Sequence, residues 1–141
     1  MCARSLAVIV CLWFANYLQA AELEWIRVSA DGKSFVTAES QQRFVPWGFN
    51  YDHDRKSRLL EDYWDKEWQE IEADFAEMKA LGANVVRIHI QFGKFMSAPD
   101  QPREAALKKL GDLLELAEQT GLYLDLTGLG CYHKQDVPAW Y

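Results

Sequence analysis

The sequence predicts an α/β fold, and three observations carry that prediction. Short apolar runs of strand type alternate with two stripes of helical period. Each stripe ends at a glycine, Gly82 or Gly121, with the next strand following almost at once. The polar loops fall after the strands rather than before them. The order β-α-β-α-β calls for parallel strands joined by right-handed helical crossovers.

The N-terminus reads as an export signal. Arg4 gives a positive start, Leu6 to Tyr17 an apolar stretch, and Leu18-Gln19-Ala20 before Ala21 a small-residue cleavage site, so residues 1–20 are expected to be removed. The apolar run is shorter than the roughly 20 residues that span a bilayer. A secreted protein, extracellular or periplasmic, with no membrane contact after cleavage is the expectation. Of the three cysteines, Cys2 and Cys11 would leave with the signal and Cys131 would stay, which gives no disulfide framework.

Residues 21–45 are expected to form a small β-hairpin cap. Trp25-Ile26-Arg27-Val28 and Phe35-Val36 flank the turn signal Asp31-Gly32, and Arg43-Phe44-Val45 is a later candidate for pairing. Residues 46–141 then carry the alternating unit. Pro46 to Tyr51 is the first parallel strand, with Asp52 to Arg58 as its exit loop. Trp64, Trp68, Ile71, Phe75, Met78 and Leu81 recur every three or four residues and predict the first helix. Val85 to Ile90 is a nearly continuous apolar run, expected to be a strand buried on both faces. Gln91 to Gln101 reads as loop and Pro102 as a helix start. Ala106, Leu107, Leu110, Leu114 and Ala117 form the second stripe. Leu122 to Thr127 is the third strand, and a loop runs on to Tyr141.

Such a unit fits either a doubly wound sheet or a (β/α)8 barrel. Gly48-Phe49-Asn50 lacks the GxGxxG pattern of a dinucleotide site, so no nucleotide cofactor is expected. The formal net charge of −6 and the absence of a basic stripe argue against nucleic acid as a partner. Cys131-Tyr132-His133 offers too few ligands for a metal. Six Trp, six Tyr and seven Phe are more than a small core needs, and their flat faces suit sugar rings as well as cores.

The segment Phe44-Val45-Pro46-Trp47-Gly48-Phe49-Asn50-Tyr51, followed by Met78-Lys79-Ala80-Leu81-Gly82-Ala83-Asn84-Val85-Val86-Arg87-Ile88, resembles glycoside hydrolase family 5, the cellulase and mannanase family. The resemblance implies a (β/α)8 TIM barrel of which only the first three strands and two helices are present, since a closed barrel takes about 250 residues. It also implies an O-glycosyl hydrolase acting on a polysaccharide or oligosaccharide with retention. Such chemistry needs two carboxyl groups about 5–5.5 Å apart. In the resembled family these are glutamates ending the fourth and seventh strands, both beyond Tyr141, so no catalytic carboxylate is assigned and the fragment is expected to be inactive. Glu61/Asp62, Glu67/Glu70 and Glu72/Asp74 read as a solvated helix face or its approach.

Four supporting positions remain. Arg87 matches the family's second-strand arginine, which holds the nucleophile carboxylate ionised, and an interior ion pair with Asp125 is the competing reading. His89 lies two residues on and shares its face. Asn50 and Tyr51 end the first strand, and Asn50 is the candidate there. Where the family has a histidine after an Asp-x pair, this chain reads Asp125-Leu126-Thr127, and His133 in the following loop is the candidate replacement. A non-catalytic carbohydrate-binding barrel is the alternative function, because fold does not dictate activity.

Overall fold

A computed structural model describes residues 23–131, 134 and 137–141. The expected export signal and His133 lie outside the described residues.

Strands β1 (Ile26–Val28), β2 (Phe35–Thr37) and β3 (Arg43–Phe44) form an antiparallel sheet in that order, so the cap is three-stranded rather than a bare hairpin. Its turn is held by Asp31, whose carboxylate accepts from the Ser29 hydroxyl and the Lys33 amide, with Gly32 at φ 72°. The Tyr123 hydroxyl donates to the Glu24 carbonyl at 2.6 Å, and the Phe44 and Tyr123 rings meet edge to face at 5.1 Å. Tyr123 opens the last strand, so the cap sits at the end of the main sheet where its strands begin.

The main sheet is parallel, in the order β4 (Gly48–Asn50), β5 (Val85–Gln91) and β8 (Tyr123–Gly130). Between β4 and β5 run α1 (Leu60–Tyr63) and α2 (Trp68–Ala80). Of the stripe from Trp64 to Leu81, the residues Trp68, Ile71, Phe75 and Met78 lie in the one helix α2, and the short α1 precedes it. Trp64 caps α1 and is buried, while Leu81 caps α2 and is exposed. After β5 come α3 (Phe92–Phe95) and a small antiparallel pair, β6 (Met96–Ala98) and β7 (Gln101–Pro102), where a plain loop was expected. Pro102 thus sits in an edge strand, where a missing N–H is tolerated, and α4 (Glu104–Thr120) begins two residues later.

The glycine stops act as expected. After α2 the Ala83 amide donates to the Met78 carbonyl and the Gly82 amide to Lys79, with Gly82 at φ 93°. After α4 the Leu122 amide donates to Ala117 and the Gly121 amide to Glu118, with Gly121 at φ 75°. Both are Schellman closures, in which a left-handed residue satisfies the last helical carbonyls and reverses the chain. Lys79 ties the two closures together by donating to the Gly121 carbonyl at 2.6 Å.

Asn84 explains its place in the Leu-Gly-Ala-Asn turn. Its side chain accepts from the Trp47 amide and donates to the Val45 carbonyl, both at 2.8 Å, which sews the start of β4 to the start of β5. The two backbones lie so close there that a Cβ at residue 48 would stand 1.6 Å from the Val85 carbonyl oxygen, so only glycine fits.

The core lies between one face of this sheet and the helices. Ile71 and Phe75 of α2, Val86 and Ile88 of β5, Leu113 and Ala117 of α4, and Leu122 are buried together. On α4 the buried ridge is Ala106, Leu113 and Ala117, whereas Leu107 and Leu114 of the predicted stripe lie on an exposed flank. Strand β5 is buried on one face only, contrary to the reading of its apolar run: Val86 and Ile88 are sealed and Arg87 between them is exposed. The three-stranded parallel sheet β4–β5–β8 carries helices packed against one face and is not closed into a barrel.

Candidate functional site

Register places the sequence-predicted residues in layers on the uncovered face. Asn50 pairs with Arg87 and Arg87 with Asp125, and one layer on His89 pairs with Thr127. The period of two along each strand puts residues 48 and 50, 85 to 91 in odd steps, and 123 to 127 in odd steps on one face. Asn50, Arg87 and His89 therefore share a surface, with Asp125 the one acid among the described positions of that face.

Arg87 donates from Nε to the Thr127 hydroxyl at 2.8 Å and stands 4.0 Å from the Asp125 carboxylate. Half of the Arg87 side chain is exposed, as is 62% of Asp125. The competing reading, an ion pair with Asp125, is thus present as a long and solvated contact, which contributes little. Among the described residues Nη1 and Nη2 have no partner, so the planar fork remains available to an incoming carboxylate.

His89 is fitted against β8. A Cβ at residue 130 would stand 2.2 Å from its Nε2, so the imidazole occupies space that only a glycine leaves. The pairing of β5 with β8 slips between His89 and Gln91, and Gln91 then pairs with Gly130. That slip lies at the C-terminal end of the β5–β8 pair.

The loop from β4 to α1 forms the adjoining rim and is held by charge. Arg58 donates from Nε to Asp54 at 2.8 Å and from Nη1 and Nη2 to the two oxygens of Glu67, each at 2.7 Å. Its guanidinium also lies 4.8 Å from the centre of the Tyr63 ring. Hydrogen bonds from Arg58 lower the Glu67 carboxyl from 4.5 to about 2. Burial pulls the Asp54 carboxyl up, but the bonds from Arg58 outweigh it and the group is lowered. Beneath the loop the Tyr63 hydroxyl donates to Tyr51, and Tyr51 to Asp74 at 2.6 Å. Burial first, then the bond to Asp74, pushes the Tyr51 phenol up. Glu67 and Asp74 are thus engaged rather than idle on a solvated face.

Glu61 departs furthest from expectation. It is only 7% exposed, and its Oε1 accepts from the Gln91 amide at 2.7 Å while Oε2 has no partner among the described residues. Burial raises its carboxyl above the ordinary value. Asp62 beside it accepts from the Leu59 amide and from Lys94. Together Ser57, Leu59, Asp62, Gln91, Gly93, Lys94 and Gly130 line a cleft of about 420 Å³ at the ends of β5 and β8. Sequence reasoning missed Asp62, Gln91 and Lys94 there. The signal for Gln91 was present, because 87, 89 and 91 continue one period-two face. Nothing local marked Glu61, whose burial depends on a strand thirty residues away.

The fold is that of a glycoside-hydrolase-like α/β protein. Among solved structures, the chain is similar to the exo-beta-1,4-mannosidase Op5Man5 from Opitutaceae bacterium strain TAV5, with a TM-score of 0.60 and 25% identity over 72% of this chain. The chain spans 17% of that protein's length. Comparison with family sequence models and with curated proteins gave no match.

Proposed function

We propose that this chain provides the opening strands of a secreted O-glycosyl hydrolase of the family 5 type, cleaving a polysaccharide or oligosaccharide with retention. The observation that carries the reading is Arg87: an arginine on the uncovered face of the second parallel strand, anchored through Nε by Thr127, with its two terminal nitrogens open among the described residues. A guanidinium so held receives a carboxylate in two-pronged fashion and keeps it ionised, which is what a nucleophilic carboxylate requires. The similarity to a mannosidase supports the sugar, and β-1,4-linked mannan becomes the first substrate to try.

In this reading Arg87 positions the nucleophile. His89 and Asn50 contact the sugar from the same face, and His133, which follows β8 in sequence and lies outside the described residues, is a further candidate contact. No two carboxylates share the Arg87 face among the described residues, so the acid and the nucleophile belong to other strands of the complete polypeptide, and these 141 residues alone are inactive. Incubating the complete polypeptide with mannan and β-glucan oligosaccharides, and following the anomeric protons by NMR, tests this. Products released first with the anomeric configuration of the substrate are expected. Inversion, or no cleavage of either glycan, contradicts the proposal, and binding without cleavage favours the carbohydrate-binding alternative.

A further inference from the structure

We propose that the cleft between the β4–α1 loop and α3 is a subsite for a neutral sugar unit distant from the bond being cleaved, with Asp62 and Lys94 as its hydroxyl-recognising pair. The choice of a sugar rests on the glycosidase reading above; the location rests on the geometry of the cleft.

The cleft lies at the end of the sheet where β5 and β8 finish, at Gln91 and Gly130. Gln91 is four residues beyond Arg87 on β5, roughly 13 Å along an extended strand. A ligand seated there is on the same mouth as Arg87 but not against it. The volume of about 420 Å³ falls within the roughly 300–1,000 Å³ of small-ligand sites.

The chemistry selects the occupant. Asp62 and Lys94 are paired, and each is still more than a third exposed. Among the described lining residues the pair leaves the cleft without net charge, so an anion would have to displace Asp62 from Lys94 and a cation the reverse. A neutral diol displaces neither: one hydroxyl donates to the free lone pairs of the carboxylate and its neighbour accepts from the ammonium. The lining also leaves room for a ring to approach backbone at Gly93, whereas the space beside Gly130 is taken by the His89 imidazole. Gly93 borders the cleft, and a Cβ there would meet nothing within 4 Å.

The walls are fixed before a ligand arrives. Arg58 clamps the loop that carries Ser57 and Leu59 onto Glu67 and Asp54, and Ser57 itself is held at φ 59°. The floor is set by the buried Glu61, which accepts from the Gln91 amide at 2.7 Å. Preorganised polar walls lower the ordering cost of binding a flexible glycan.

The test is NMR titration of the complete polypeptide with mannohexaose, and with hexagalacturonate as an acidic probe of the same length, alongside hydrolysis of an aryl mannoside too short to reach the cleft. Mannohexaose is expected to shift the Gly93 and Gly130 amides. Lys94→Met should weaken its binding about tenfold, the loss of one hydrogen bond to a charged group. Gly93→Gln, which projects a side chain into the open space, should abolish the shifts. Aryl mannoside turnover should be unchanged in both variants. Hydrolysis with no perturbation at Gly93 or Gly130 overturns the subsite and leaves the glycosidase reading standing. Perturbation without hydrolysis by the native protein keeps the subsite and overturns the glycosidase. Tighter binding of hexagalacturonate than of mannohexaose overturns the assignment to a neutral sugar.

Discussion

The two faces of β5 do opposite things with alternate residues of one short strand. On the covered face Val86 and Ile88 are fully buried among Ile71, Phe75 and Leu113. On the uncovered face Arg87 is half exposed and rests on a single hydroxyl. The first face stabilises by removing apolar surface from water, at about 25 cal/mol per Å². The second holds polar groups in register without sealing them. The difference teaches that stability and chemistry are separable here at a spacing of one residue, and substitutions on the two faces should separate them too.

The largest expected effect is on the covered face. Ile88→Ala deletes a fully buried side chain and leaves a cavity, which should cost about 2–5 kcal/mol of unfolding free energy. Urea denaturation of the complete polypeptide checks this. A loss below about 1 kcal/mol would mean that the site collapses freely and that the helices do not grip β5 as described.

Acid should sharpen the contrast at the rim. The Glu67 carboxyl, held at about 2 by Arg58 against 4.5 unfolded, contributes stability that is full above 4.5 and lost as pH falls through about 2. Arg58→Met should therefore flatten the fall in melting temperature between those values. An unchanged acid limb would place the acid sensitivity elsewhere.

Glu61 should give a smaller effect of opposite sign. Its carboxyl is raised by burial, so its contribution is full below 4.5 and lost as pH rises through the folded value. Glu61→Gln keeps an acceptor for the Gln91 amide and removes the charge, so the variant should lose less stability than the native protein as pH rises above 4.5. Parallel pH profiles of the two proteins would contradict a buried, ionisable role for Glu61.

The legible parts were those that local pattern controls. Strand alternation put Arg87 and His89 on one face, the glycine stops ended both helices, and the Asp31-Gly32 turn gave the cap. What escaped depends on distant partners. Asp65-Lys66-Glu67 continued a charged helical face on paper, but Tyr63 accepts from the amides of both Lys66 and Glu67 and Arg58 takes the Glu67 carboxylate, and the helix breaks there. Glu61 looked solvated among acidic neighbours, and only its bond to Gln91 explains its burial. The apolar run of β5 suggested two covered faces because Val85 and Ile90 hid the alternation that Arg87 and His89 carry.

The separation of faces is tested most directly at Arg87. Arg87→Lys keeps the charge and loses the planar fork, and on a half-exposed side chain the unfolding free energy should move by no more than about 0.5 kcal/mol. Turnover of mannan oligosaccharides by the complete polypeptide should fall at least about a hundredfold, as removal of a charged, two-pronged contact at a reacting carboxylate does. The measurement is that pair of numbers on one variant. A large loss of turnover with unchanged stability is the predicted result. Loss of stability with turnover per folded molecule intact would contradict the account, because it would return Arg87 to a structural pair with Asp125.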